Sequence, residues 1–326
     1  MKSLYKILFA IGVLSMVTFA QEDSTSVESH EQEGCCEEQG TIFENGEWSW
    51  DESDHNRMLW DWDYWSDELS FSFDKPTISL RYGLLESSYK GLSRKLKNAG
   101  FVELELGFSE RNNFSERYGS VIPEYSTSGL FLRNAKTGYG VKDDNATKLE
   151  AEYWSFGYRS SEGGGYAFDD QAGIYFANGG SISWTKLDLG SSLAASTMTP
   201  KDAELLALYD NSFRFGGSMQ SSVAVYPIAN AGITFNQERT IIFPRVLFWY
   251  MCGSYLLEGI GESILDEFIE EIYKSSPTVA PVVGFILKAG LSFGFSELRK
   301  DDVFWPIQTP APLVQDHYSV SVNIAF

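Results

Sequence analysis

The chain ends on a strict alternation. Tyr318, Val320, Val322, Ile324 and Phe326 take every second position at its C-terminus, with Ser319, Ser321, Asn323 and Ala325 between them. A strand projects successive side chains to opposite faces, so this stretch predicts a strand with one apolar face and one small or polar face. Its last residue is aromatic, and no polar tail follows it in the sequence.

The same period recurs upstream. Ile78, Leu80, Tyr82 and Leu84 alternate, as do Val102, Leu104, Leu106 and Phe108 with Glu103 and Glu105 opposite them. Leu130 and Leu132 begin a shorter run, and Trp154, Phe156 and Tyr158 form an aromatic row ahead of a predicted turn at Gly163-Gly164-Gly165. Ile174 and Phe176 lead into Asn178-Gly179-Gly180, with Ile182 and Trp184 beyond it, a pattern that predicts a hairpin. Phe213 and Phe215, Val223 and Val225, Ile233 and Phe235, and Leu291, Phe293 and Phe295 continue the theme. Counted generously, the runs predict about 10 to 12 strands. Glu opposite an apolar row suits a wet lumen and a solvated sheet face equally. With 15% aromatic residues and 29 Gly against 10 Pro, the composition fits a membrane barrel or a soluble β-sandwich.

Two stretches break the strand pattern. Thr199-Pro200-Lys201-Asp202 reads as a helix start, with a capping hydroxyl, a first-turn Pro and an acid near the positive end, and predicts a helix to about Tyr209. Leu257, Ile260, Ile264, Phe268 and Ile272 lie at helical spacing, predicting an amphipathic helix over 255–273. The apolar run 246–257 before it falls short of the roughly 20 residues a spanning helix needs. The reading therefore holds no internal transmembrane helix.

At the other end, Lys2 and Lys6 precede an apolar run from Ile7 to Phe19 and a small-residue cleavage site at Thr18-Phe19-Ala20. Residues 1–20 thus predict an export signal. Residues 21–70 form an acidic, Trp-rich, partly disordered leader, with 16 Asp and Glu against Arg57 alone, so most of the net charge of -20 lies there. An anionic chain is a poor match for nucleic acid, whose phosphates need Lys and Arg.

With an export signal at one end and the alternating, Phe-terminated segment at the other, the chain resembles bacterial outer-membrane β-barrel proteins. Members of that family typically end in such a strand, which the barrel-insertion machinery reads. The resemblance implies an all-β fold, an antiparallel closed transmembrane β-barrel over residues 71–326 with one or two helical insertions in loops or lumen. It also implies a Gram-negative outer-membrane location, with outer-membrane lipid and the insertion machinery as partners. Tyr318, Val320, Val322, Ile324 and Phe326 would then serve membrane insertion. The expected role is transport-related, structural or surface contact, without catalysis. The competing expectation is a soluble exported β-sandwich that binds a glycan or protein.

Three constellations bear on chemistry. Trp60, Trp62, Tyr64 and Trp65 alternate with Asp61 and Asp63, which suits a platform for a glycan or partner, or a strand docking its Trp face. Glu258, Glu262, Asp266 and Glu270 repeat every four residues along the predicted helix, an acidic stripe able to attract a cation, by lining a pore or binding Ca²⁺ through oxygen ligands, or else a solvated face. His317 beside Asp316 is the least implausible catalytic His, for a lipid-modifying barrel, yet no Gly-x-Ser-x-Gly elbow accompanies it. Cys35, Cys36 and Cys252 lack metal-ligand spacing, and no cofactor motif occurs.

Overall fold

The computed structural model describes residues 75–112, 122–137, 139, 148–168, 172–190 and 199–326. The expected export signal, the leader, the Trp60–Trp65 platform, Cys35 and Cys36 lie outside them. Eight strands form one sheet: β1 (Lys75–Tyr89), β2 (Ala99–Asn112), β3 (Glu124–Lys136), β4 (Glu152–Ala167), β5 (Gly173–Asp188), β6 (Phe213–Ile228), β7 (Ala231–Ile242) and β8 (Leu313–Ala325). Among the described residues three helices join them: α1 (Pro200–Ala207) between β5 and β6, and α2 (Phe248–Ser275) and α3 (Ala280–Arg299) between β7 and β8.

Every neighbouring pair is antiparallel, and β8 pairs with β1 from Thr77↔Ala325 to Tyr89↔Leu313, so the sheet closes into a barrel. Closure leaves no unpaired strand edge. A two-sheet sandwich is thereby excluded. The alternation read from the sequence decides which face turns outward. Leu80 stands opposite Leu104 on one side and Val322 on the other, and all three point away from the lumen, between 44% and 58% exposed.

Eight strands replace the expected 10 to 12 because they are long, 12 to 16 residues each. Ile174–Phe176 and Ile182–Trp184 are two halves of β5, and Asn178-Gly179-Gly180 runs straight between them. Phe213–Phe215 and Val223–Val225 likewise share β6, and Gly163-Gly164-Gly165 lies inside β4. At Gly163 and Gly179 the reason is steric. A Cβ at either would collide with the neighbouring strand's backbone, at Phe176 O and Ser160 O respectively, so these glycines mark close strand approach and not turns.

Helix α1 begins as the sequence predicts. The Thr199 hydroxyl accepts from Asp202 N at 3.2 Å, and Pro200 opens the first turn. The buried Asp202 carboxylate accepts the Ser93 amide at 3.0 Å and the Ser93 hydroxyl, tying α1 to the β1–β2 connection. Helix α2 includes the predicted 255–273 segment and begins at Phe248, so the apolar run 246–257 becomes mostly its first turns. Leu291, Phe293 and Phe295 belong to α3, not to a strand. Their short alternation fits either period. By length and composition α3 is apolar enough to cross a membrane, which corrects the reading that no internal segment could.

The two long helices lie neither in the lumen nor in free loops. They stand as a hairpin against the outer wall of the barrel. Tyr255 and Glu297 approach Gly217 and Arg239 towards one end, and Tyr273 and Thr278 approach Gly164 and Tyr166 at the other. The hairpin thus runs the height of the wall beside β4 to β7.

Candidate functional site

The lumen is built in layers. At the end away from β1's start, Leu85, Phe101, Tyr153, Leu187, Ile242 and Leu313 pack with Leu206 and Tyr209 from the α1 region into an apolar cap. At the opposite end Tyr125, Tyr175 and Tyr226 cluster, with the Tyr125 and Tyr226 hydroxyls 3.3 Å apart and the Arg111 guanidinium over the Tyr226 ring. Between these the described side chains are mostly polar, with the Phe131 ring lying under the Arg159 guanidinium at 4.4 Å.

The central layer is ionic. Arg159 donates to Glu103 at 2.7 Å, Glu105 at 2.5 Å and Glu238 at 3.0 Å. Arg133 donates to Glu103 and Glu238, each at 2.6 Å, and Arg81 stands 3.2 Å from Glu103. Three guanidiniums therefore meet three carboxylates with no net charge. Such burial is tolerable only because each charge is paired and hydrogen-bonded. His317 completes the layer. Its Nε2 accepts from Arg133 at 2.8 Å, and its ring packs edge-on to Phe101.

Below the ions, hydroxyl and amide groups bridge strand to strand: Thr77 with Ser109 at 2.8 Å, Ser181 with Ser218 at 2.7 Å, and Asn323 to Thr234 at 2.6 Å. The cavity among them holds about 30 Å³. That is room for a water molecule or so, not for a solute. The lumen is plugged by its own side chains.

The outer wall has two characters. Over β8, β1 and β2 it shows Tyr318, Val320, Val322, Ile324, Ile78, Leu80, Tyr82, Leu84, Val102, Leu104 and Leu106, all exposed. The five closing-strand residues singled out in the sequence, Phe326 included, thus share one outward apolar surface. Under the hairpin several outward positions are small or polar, beside Phe176, whose ring packs 5.6 Å from Phe285. Asn178 donates to Phe285 O at 3.2 Å and accepts from Ser221 at 2.8 Å, while Gly217 and Gly164 leave space for the Tyr255 and Tyr273 hydroxyls.

The acidic stripe does not share one environment. Glu258 is buried and holds Arg299 at 2.7 Å, Asp266 holds Lys288 at 2.7 Å, and Glu270 holds Lys274 at 3.1 Å. Glu262 is exposed and engaged in an interaction of its own. His317 faces the lumen and is buried, away from its neighbour Asp316, which pairs outside with Arg239 at 2.5 Å. A lipid substrate has no route to it.

Sequence reasoning missed the ionic layer. The signal was present: Arg81, Arg133 and Arg159 each sit one position off an apolar row, as Glu103 and Glu105 do, and only the pairing register shows that they converge.

No protein-family model and no curated protein matches the sequence. Among solved structures, Neisserial surface protein A is similar at 9% identity and a TM-score of 0.36, over 77% of this chain and 97% of that one. Ail, the attachment invasion locus protein of Yersinia pestis, is similar at 8% identity and a TM-score of 0.30, over 77% of this chain and 98% of that one. At these identities the likeness concerns fold alone.

Proposed function

We propose that this chain is an integral β-barrel of a bacterial outer membrane that works as a closed scaffold for surface contact, without catalysis and without a solute path. The single observation that carries the reading is the combination of an exposed apolar wall over β8, β1 and β2 with a lumen plugged by paired ions. Hydrocarbon cannot hydrogen-bond a backbone, so strands cross it only as a closed barrel, and lipid tails would cover the outward Leu, Ile and Val rows at no cost. The export signal expected at residues 1–20 and the alternating apolar face of β8 support the location. Long connections, 189–212 and 243–312, leave the end opposite β1's start, and Ala229-Asn230 makes a tight turn at the other. The first of these carries the α1 cap, and this end is the surface offered to a partner protein or glycan.

Fractionation and planar-bilayer recording test both halves. The full-length protein should stay with the membrane pellet until detergent is added, and reconstituted protein should leave the bilayer conductance at baseline. Recovery in the aqueous periplasmic fraction would remove the location, and stable unitary conductance would remove the closed lumen.

A further inference from the structure

The helical hairpin poses a physical problem that the barrel reading alone does not answer. Its face towards the barrel is accounted for by the polar wall, but its other face is greasy and uncovered. On α2 this face carries Trp249, Leu256, Leu257, Ile260, Ile264 and Phe268, all exposed, with Trp249 at 80% and Ile264 at 66%. On α3, Ile286 is exposed at 59%. A soluble loop does not present so long a contiguous apolar strip to water.

We propose that the α2–α3 hairpin lies within the bilayer beside the barrel, with lipid acyl chains as the partner of its outer face. The proposal rests on the membrane reading above and extends it to an element that is not part of the sheet. Three observations carry it. The stripe from Trp249 to Phe268 covers about 20 residues, or roughly 30 Å of helix at 1.5 Å per residue. That length matches the hydrocarbon thickness of about 30 Å. Helix α3 meets the length and composition of a crossing helix on its own. The hairpin spans the wall from Arg239 and Glu297 to Tyr166 and Thr278, the direction in which the strands themselves would cross.

The charges are placed consistently with this. Glu258 with Arg299 and Asp266 with Lys288 are paired between the two helices, so neither couple meets lipid unpaired. Arg299 is also enclosed by the Tyr255 ring, 4.3 Å away. Glu267, Glu270, Glu271 and Lys274 come at or beyond the Phe268 end of the stripe, where α2 overhangs the apolar length. The barrel wall answers in kind. Asn178, Ser221 and Gly217 stand on the outer wall beneath the hairpin, so the helices shield from lipid positions that lipid would solvate poorly.

The test uses the full-length chain with Cys35, Cys36 and Cys252 replaced by Ser, carrying one Cys at a time: Ile264→Cys on the hairpin, Leu104→Cys on the barrel wall, or Lys274→Cys beyond the stripe. Each is labelled with bimane and reconstituted into phosphatidylcholine vesicles, then quenched by doxyl-phosphatidylcholine or by aqueous iodide. Ile264 and Leu104 are expected to lose at least half of their emission to the lipid quencher and little to iodide, with Lys274 the reverse. Iodide quenching at Ile264 with lipid quenching at Leu104 would overturn the proposal and leave the membrane barrel standing. Quenching of Ile264 by neither agent would overturn it in favour of a protein cover, such as a second copy. Absence of lipid quenching at Leu104 would sink the membrane reading and the proposal together.

Discussion

Arg159 on β4 and Glu238 on β7 are bonded at 3.0 Å through the lumen, although the strands between them in the sheet are β5 and β6. The contact ties together parts of the wall that never pair. It exists because β4 and β7 each put a charge on the inward face within reach of the other. An interior of this kind holds register more strictly than an apolar one, since a slip by one residue would turn every charge into the outer face.

The ionic layer therefore carries a large share of the barrel's resistance to unfolding. Arg159→Met leaves three buried carboxylates facing two guanidiniums, and an uncompensated buried charge costs about 3–5 kcal/mol. Urea titration of the folded protein in detergent should show that loss. The double variant Glu103→Gln with Arg159→Met should lose clearly less than the two single variants summed, because the charge count is restored. Additive losses would mean that the ions contribute independently.

Gly179 faces Ser161 inside the barrel, and its missing Cβ is what lets β4 and β5 approach. Gly179→Val should prevent closure, read as loss of the compact fast-migrating band on unheated gels. Gly253→Ala serves as the contrast, since nothing lies within 4 Å of a Cβ there and the site is helical. It should stabilise the chain by about 0.5–1 kcal/mol or leave it unchanged. A folded Gly179→Val barrel would contradict the steric account.

Much of this architecture was legible in the chain. The period-2 rows over 78–84, 102–108 and 318–326 are the outward faces of β1, β2 and β8, because lipid-like exteriors and strand geometry leave a simple mark. Thr199 and Pro200 mark α1 for the same reason, being local capping chemistry. Strand number was not legible. Gly-rich segments normally signal turns, and here Gly163 and Gly179 answer to the close approach of β4 and β5, which depends on their pairing register. The ionic layer and the docking of the hairpin were hidden likewise, since Arg133 and His317 meet only after closure. Tertiary register has no local signature.

Asp202 gives a pH dependence outside the strands. Burial opposes its ionisation, but the Ser93 hydroxyl and amide and the Thr199 hydroxyl together outweigh that and hold its pKa below the ordinary Asp value. A carboxylate with a depressed folded pKa adds stability that is full above its unfolded pKa, near 3.9, and vanishes as pH falls through the folded value. The attachment of α1 should therefore weaken only under acid. Asp202→Asn should abolish that acid dependence and cost about 1–3 kcal/mol at neutral pH, from the lost charged hydrogen bonds. Amide exchange over 200–207 measures both. Protection over 200–207, taken relative to the intrinsic exchange rate at each pH, that stays flat in the wild type from neutrality down to pH 3 would refute the assignment.

Phe326 separates folding from assembly. Its amide donates to Pro76 O at 2.9 Å, so its backbone belongs to the closed sheet, yet its side chain is 68% exposed and packs on little. Phe326→Ala keeps the backbone bond and removes only the exposed ring. Surface truncations of that kind shift stability by roughly 0.5 kcal/mol or less, so refolded Phe326→Ala should melt in detergent close to wild type. The ring's proposed task is to be read by the insertion machinery before closure, and that task should fail in cells. Membrane-assembled protein should drop several-fold while the purified, refolded barrel remains sound. Equal loss in both assays would make Phe326 an ordinary packing residue, and no loss in either would leave the insertion role to the Tyr318–Ile324 row alone.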